Sequence, residues 1–377
     1  MKIAFFTDSY LPTFDGVTRA IINFRKGLEE LGNEVYIFAP KQIGKNVKKE
    51  KRVFYYPGIP FKPYPNYTIP LLPLPPLLKI KKIKPDIVHC HGLALLSLCG
   101  LQTSKLFKIP CASTFHTYFP KALHYIPFVN KLKKQMLKST WLYTKFFLNS
   151  SSVAIVPSNF IKEKLERIGV RKVVVVPNGI DLKKFSKGNG KKIRKRYGIK
   201  ENEEIVLYLG RIAKEKNINL LVKAFSFLKN KKIKLMICGT GPEEERVKKL
   251  AKKFGVNAIF TGFVKESEVA DFYSACDVFC IPSSFETQGL VAIEAMAAGK
   301  GVLALNSMAL REIVNEKNGI LFNKNAKELS EKILMALEKK EEYREWALKT
   351  ASEYSIEKTT EKLLEIYKKI KLSSKLL

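Results

Sequence analysis

The chain opens with Lys2-Ile3-Ala4-Phe5-Phe6-Thr7, continues through Pro12-Thr13-Phe14-Asp15-Gly16-Val17 and a helical stretch ending near Gly32, and resumes with Glu34-Val35-Tyr36-Ile37-Phe38-Ala39. A short apolar run bounded by turn residues reads as a buried strand. The loop and helix that follow, and the second apolar run, complete a β-loop-α-β opening, which is the signature of a doubly wound α/β unit. Further strands are expected at Asp86–His91, Cys111–Phe115, Val153–Val156 and Val173–Val176. Residues 57–85 hold nine of the eighteen prolines and are expected to be extended loop. After Pro177-Asn178-Gly179-Ile180-Asp181, a Lys/Gly-rich stretch to about Lys192 reads as an interdomain segment. The α/β pattern then restarts, with strands at Ile205–Leu209, Leu235–Cys238, Ala258–Thr261, Val278–Ile281 and Val302–Ala304 separated by helices such as 219–228 and 242–254. From about Ala326 the chain is helical to its end, with a break near Tyr354-Ser355 and a final amphipathic helix over 356–370. The expected organisation is a domain over 1–182, a second over 183–355, and a helix over 356–377 that crosses back to the first.

The length of 377 residues suits two domains of the usual size of roughly 150 residues. No apolar run approaches the roughly 20 residues of a spanning helix. The four apolar residues Ile3–Phe6 give way at once to Thr7-Asp8, unlike a signal peptide, so a cytoplasmic location is expected. The cysteines at 90, 99, 111, 238, 276 and 280 include no Cys-x-x-Cys pair and read as buried free thiols. The net charge of +32 is unevenly spread: between Glu50 and Glu163 the only acidic residue is Asp86, against sixteen Lys and Arg. Such a one-signed field points to an anionic partner, either nucleic acid or an anionic membrane leaflet.

Residues 286–294, Glu-Thr-Gln-Gly-Leu-Val-Ala-Ile-Glu, set a chemical problem. The run Leu290–Ala298 is apolar all round except for Glu294, and such a helix is a buried one. An ionised carboxylate there needs donors. The two hydroxyls of a ribose would supply them from outside.

Taken in order, Gly210-Arg211 with Lys216, Gly239-Thr240-Gly241-Pro242, and Pro282-Ser283-Ser284-Phe285-Glu286 through Glu294-Ala295-Met296 resemble the retaining glycosyltransferases of family 4. The resemblance covers nearly the whole chain. It implies the GT-B fold, an α/β architecture of two doubly wound Rossmann-like domains facing a cleft, and a nucleotide-sugar donor. Arg211 and Lys216 leave the carboxyl edge of a sheet, where ligands bind and where two cations would neutralise a diphosphate. The amides of Gln288, Gly289 and Leu290 open a helix whose N-terminus favours phosphate. By resemblance, Glu294 bonds the ribose hydroxyls, Glu286 contacts a hydroxyl of the donor hexose, Thr287 belongs to the same loop, and Gly239 and Gly241 border the base and ribose. The structural alternatives are a solvated charge at Arg211 or Lys216, a dipole-complementing carboxylate at Glu286, and ordinary turns at the glycines. The family commonly has proline where Gly301 stands, a departure expected to affect loop stiffness rather than chemistry.

In the first half, Asp15-Gly16-Val17 opens a helix and would present amides to phosphate or sugar oxygens. Many family members carry two glycines here, so only Gly16 carries over. His116, just past the Cys111–Phe115 strand, resembles the family histidine that reaches the donor hexose and the reaction centre. The catalytic set implied is therefore His116, Glu286, Arg211 and Lys216. His89 and His91 share a strand face, which permits a metal reading, but no third ligand is evident. The family works without metal or cofactor, and none is expected.

The segment 131–149 supplies the partner signal. On a helix, Lys131, Lys134, Lys138 and Lys145 form one stripe flanked by Trp141 and Leu142, as in interfacial helices on anionic lipid. The alternative is a core helix with a solvated lysine edge. Within the family, Phe115-His116-Thr117 and Ser284–Leu290 are most like the diacylglycerol glucosyltransferases. The leading expectation is a peripheral membrane enzyme on the inner face of the cell membrane that moves a hexose, with UDP-glucose favoured, to a lipid such as diacylglycerol. A soluble sugar or glycan precursor is the alternative acceptor. A sugar epimerase or phosphorylase shares the architecture. A nucleic-acid binder fits the charge, but no recognition motif accompanies it.

Overall fold

The computed structural model describes residues 1–13, 15–43, 46–47, 49–61, 64–70, 74–116, 133–228 and 232–375. Two compact units divide the chain, one of Met1–Gly179 with Ile356–Leu377 and the other of Ile180–Ser355.

The first unit is built on an eight-stranded sheet of β1 (Lys2–Thr7), β2 (Glu34–Gln42), β3 (Val53–Phe61), β4 (Tyr64–Pro70), β5 (Ile87–His91), β6 (Cys111–Thr114), β7 (Val153–Val156) and β8 (Val173–Val175). The strands lie in the order β4-β3-β2-β1-β5-β6-β7-β8, and all neighbours pair in parallel except β3 and β4. Strand order reverses between β1 and β5, which makes the loops after these strands the natural ligand edge. The unit's helices are α1 (Gly16–Glu30), α2 (Leu74–Ile83), α3 (Leu95–Leu106), α4 (Lys133–Asn149) and α5 (Asn159–Arg167). Helix α1 forms because Asp15 caps it, its carboxylate accepting from Thr18 N at 2.8 Å. Its buried stripe of Ala20, Ile21, Phe24 and Leu28 then packs into the core. Each of the larger side chains contributes about 1.5–3 kcal/mol by burial.

The second unit carries a six-stranded parallel sheet of β9 (Glu204–Leu209), β10 (Ile233–Cys238), β11 (Ala258–Gly262), β12 (Val278–Ile281), β13 (Gly301–Leu305) and β14 (Gly319–Phe322), ordered β11-β10-β9-β12-β13-β14. Here the order reverses between β9 and β12. Its helices are α6 (Leu182–Ser186), α7 (Gly190–Arg196), α8 (Ile218–Phe225), α9 (Glu244–Lys253), α10 (Val269–Ala275), α11 (Leu290–Ala297), α12 (Leu310–Ile313), α13 (Ala326–Glu338) and α14 (Lys340–Ser352). The last helix, α15 (Ile356–Lys375), belongs to the first unit. It lies so close to α1 that a Cβ on Gly27 would overlap Thr360.

Two expectations need correction. The proline-rich stretch is not extended loop: it forms the β3–β4 hairpin and α2. Pro65 and Pro70 fall on the edge strand, where a missing N–H costs no sheet bond, and Pro60 sits where the β3–β4 register shifts. Pro75 and Pro76 fall in the first turn of α2, whose amides have no intrahelical partner anyway. The Lys/Gly-rich stretch, expected as an interdomain segment, is part of the second unit. It contains α7, packed on α10, with Asn189 N donating to Asp271 Oδ1 at 2.7 Å and Arg194 paired to Asp277 at 2.7 Å. Gly190 is there for close approach, since a Cβ would lie 2.7 Å from Ala275 N.

Candidate active site

The loops after β9 and β12, on either side of the strand reversal, are joined to each other. Ser284 N donates to Glu215 O at 3.0 Å, the Ser284 hydroxyl to the same carbonyl at 3.1 Å, and Asn217 Nδ2 to Pro282 O at 3.0 Å. Within this frame Lys216 Nζ meets Glu286 Oε1 at 2.6 Å. Both side chains are largely buried, at 23% and 14% exposure, so the pair is held in place rather than solvated. Arg211 leaves the same β9 loop, and its carbonyl accepts from the Tyr208 hydroxyl at 2.7 Å. Burial pushes the Tyr208 phenol well above its usual range, which keeps it a donor.

The loops after β9 and β10 approach backbone to backbone. Gly210 N donates to Cys238 O at 3.0 Å and Ile212 N to Thr240 O at 2.9 Å. A Cβ on Gly239 would overlap the Gly210 carbonyl, and one on Gly241 the Ile212 carbonyl. Both glycines are therefore required by packing at the site edge, whatever ligand they border.

Glu286 stands before helix α11, not in its first turn, because Gly289 is the N-cap, with φ of +93°. Its partner is Lys216. Thr287 is half-buried, Gln288 is buried, and Leu290 begins the helix. Glu294 is completely buried, as its apolar helix implied, but one donor comes from inside. The Tyr273 hydroxyl of α10 reaches Glu294 Oε2 at 2.9 Å. Sequence reading missed Tyr273. It lies 21 residues from Glu294 in an otherwise ordinary helix, and only the packing of α10 on this core joins them. At Gly301, a Cβ would fall 2.5 Å from Tyr343 Cδ2, so the position is set by packing beneath α14 rather than by loop stiffness.

Gly16 and His116 belong to the first unit. Gly16 is the first residue of α1, with open space where a Cβ would stand. The Asp15 carboxylate already takes the Thr18 amide and accepts from the Ser9 hydroxyl at 2.8 Å, so that amide is not presented to a ligand. Asp8 acts similarly on α3, accepting from Ala94 N at 3.0 Å, Leu96 N at 2.9 Å and the Ser97 hydroxyl at 2.6 Å. Burial still raises its carboxyl above the usual value against these bonds. His116 follows β6, with Nε2 3.0 Å from His91 Nδ1. Burial lowers it from 6.5 to about 4, so its imidazole is neutral near pH 7. Among the described residues, no group of three His, Cys, Asp or Glu is placed to hold a metal. All six cysteines are buried and free.

Helix α4 exposes Lys138, Leu142, Tyr143, Lys145 and Phe146 and buries Thr144, Phe147 and Leu148. Leu142 and Phe146 are 67% and 61% exposed. Trp141 is half-buried. Phe147, next to the exposed Phe146, faces the core. Lys131 lies outside the described residues, as does the side chain of Lys134. No helix among the described residues is long and apolar enough to cross a membrane.

Two Rossmann-like units with basic and acidic loops gathered at the strand reversals define a GT-B glycosyltransferase architecture. Residues 14–184 match the family described as Glycosyltransferase Family 4, and residues 189–353 match Glycosyl transferases group 1. The chain is 33% identical over 344 residues to the alpha-monoglucosyldiacylglycerol synthase of Acholeplasma laidlawii, covering 86% of this chain and 85% of that protein. The enzyme of the same name from Streptococcus pneumoniae is 31% identical, over 84% of this chain and 74% of the relative. Among solved structures, sucrose-phosphate synthase of Thermosynechococcus elongatus superposes with a TM-score of 0.80 at 21% identity, covering 99% of this chain and 100% of that one. The Anabaena protein Alr3699/HepE in complex with UDP gives 0.76 at 18% identity, covering 98% and 100%. The chain belongs to the family 4 glycosyltransferases, and it is a glycosyltransferase.

Proposed function

We propose that the protein transfers a hexose from a nucleotide sugar, UDP-glucose in the first instance, to a membrane lipid hydroxyl such as that of diacylglycerol, with retention at the anomeric carbon. The observation that carries this reading is the α4 face, where Leu142 and Phe146 stand exposed beside Lys138 and Lys145 in a chain related at 33% identity to a glycolipid synthase. Apolar anchors flanked by lysine suit an anionic lipid interface.

In this function Arg211 and Lys216 bind the donor diphosphate. Lys216 exchanges its Glu286 partner for phosphate, which frees Glu286 to accept from a hexose hydroxyl. The amides opening α11 add dipolar stabilisation to the leaving group. Glu294 accepts from the ribose hydroxyls with the Tyr273 phenol holding its second oxygen. Retention follows if the acceptor attacks on the face the diphosphate leaves, the departing phosphate taking the acceptor's proton. His116 contributes as a neutral imidazole at the hexose. No metal or cofactor is called for, because the two cations and the helix amides supply the charge stabilisation. The enzyme would work at the inner membrane face without a spanning helix.

The test is a matrix of UDP- and GDP-sugars against vesicles containing diacylglycerol and against soluble sugars, with product anomers read by NMR. An α-linked glucosyl lipid from UDP-glucose is expected. Transfer only to soluble acceptors would replace the lipid reading, and an inverted anomer would remove retention.

A further inference from the structure

The two histidines of β5 lie deep in the first sheet, and the function above uses neither. His89 is held on both sides: its Nδ1 lies 2.5 Å from the Tyr367 hydroxyl of α15, and its Nε2 lies 2.6 Å from Thr114 Oγ1. His91 lies against His89 with ring centres 3.9 Å apart and planes tilted by 35°, and meets the Phe5 ring at 4.5 Å. These contacts fix its ring and aim Nδ1 at His116 Nε2, 3.0 Å away. The other nitrogen of His91, Nε2, is buried with no hydrogen-bonding partner among the described residues.

Burial holds all three imidazoles below their usual value, so each carries a single proton near neutrality. The bond between His91 and His116 then has two solutions, and the choice is an inference from the network. In one, His91 Nδ1–H donates to His116 Nε2. The orphaned His91 Nε2 is then a bare lone pair, and His116 carries its proton on Nδ1. In the other, His116 Nε2–H donates, and His91 buries an unpaired N–H. A buried N–H donor left without an acceptor is rare, so the first arrangement is the one adopted.

We propose that His91 is a positioning residue that holds His116 as its Nδ1–H tautomer, making that nitrogen a hydrogen-bond donor to a sugar hydroxyl. The sugar part rests on the placement of His116 at the hexose in the proposed function. The tautomer part rests on contacts within the first unit alone. His89, braced by Tyr367 and Thr114, keeps the His91 ring from turning. The closing helix thereby supports the site from behind the sheet.

Long-range proton–nitrogen NMR of the full chain labelled at histidine reads the tautomer directly, with the His116 signals assigned by their loss in His116→Gln. The wild-type protein is expected to show the Nδ1–H form. His91→Asn, whose amide N–H can stand in for Nδ1–H, should keep it. His91→Phe, which keeps a flat ring, should shift His116 toward the Nε2–H form. The same variants should separate in turnover: His91→Phe losing roughly five- to tenfold in kcat, the worth of one neutral hydrogen bond, with His91→Asn recovering most of it. An Nε2–H tautomer in the wild type overturns the proposal even if His91→Phe does not fold, and so does an unchanged tautomer in a folded His91→Phe. An Nδ1–H tautomer lost in His91→Phe, with no hexose transferred from any donor, supports the positioning role and overturns only the function assigned to it.

Discussion

Glu294 could be picked out from the sequence because one carboxylate in an apolar helix has no polar face to occupy. Its internal donor, the Tyr273 hydroxyl, could not, since helix periodicity says which face is buried but not which side chain meets it across a core. The pairing of Lys216 with Glu286 was hidden for the same reason: the residues are 70 apart and meet only because the β9 and β12 loops are joined at Glu215 and Ser284. Tyr273 and Glu294 make separable predictions. Removing the phenol in Tyr273→Phe takes a hydrogen bond from a buried carboxylate and should destabilise the second unit by about 1.5–3 kcal/mol in urea unfolding. Glu294→Ala should weaken nucleotide-sugar binding at least about tenfold by calorimetry, the equivalent of roughly 1.4 kcal/mol. Unchanged affinity in Glu294→Ala would remove the ribose assignment.

Among elements, those with an apolar run between turn residues were legible, and those governed by proline or glycine were misjudged. Proline in a sequence suggests loop, yet it is tolerated at an edge strand and in a first helical turn, which is where residues 65, 70, 75 and 76 fall. Glycine beside lysine suggests an interdomain segment, yet Gly190 permits α7 to touch the backbone of α10. Strand β14, Gly319–Phe322, was missed because its short apolar run opens on a glycine that reads as a turn. Helix α4 was legible as a basic helix, but the lysine stripe alone understated it: the exposed Leu142 and Phe146 lie alongside Lys138 and Lys145. This element predicts membrane behaviour. Lys138→Glu with Lys145→Glu should lower sedimentation with anionic vesicles by more than about tenfold, at roughly 1 kcal/mol for each cation lost near the surface. Leu142→Ser with Phe146→Ser should lower binding to neutral vesicles as well. Unchanged binding in both double variants would remove α4 from the interface.

At the scale of the molecule, two α/β units in series were readable because the strand–loop–helix grammar restarts after Pro177–Asp181. Their electrostatic difference is equally plain. All four histidines, at 89, 91, 116 and 124, lie in the first unit, and the second has none. Burial depresses His89, His91 and His116, so their folded values lie below the unfolded value near 6.5. Between those values the unfolded chain binds more protons than the folded one. The stability they confer is therefore full above pH 6.5 and is lost as pH falls toward their folded values. From pH 7.5 to 5.5 His116 contributes a loss of about 1.4 kcal/mol, and His89 and His91 add to it in the same direction. Asp8, raised by burial, titrates with the opposite sign. The second unit's carboxylates respond later: Glu268, held to about 2 by Arg196 and then Lys192, loses its contribution only as pH falls below the ordinary carboxyl range. The two tryptophans report on the units separately, Trp141 in α4 of the first and Trp346 in α14 of the second. Urea unfolding of Trp346→Phe and Trp141→Phe at the two pH values should show the Trp141 transition moving to lower urea at pH 5.5, with the Trp346 transition nearly fixed. Equal shifts in both transitions would mean that the buried histidines do not set the acid sensitivity of the first unit.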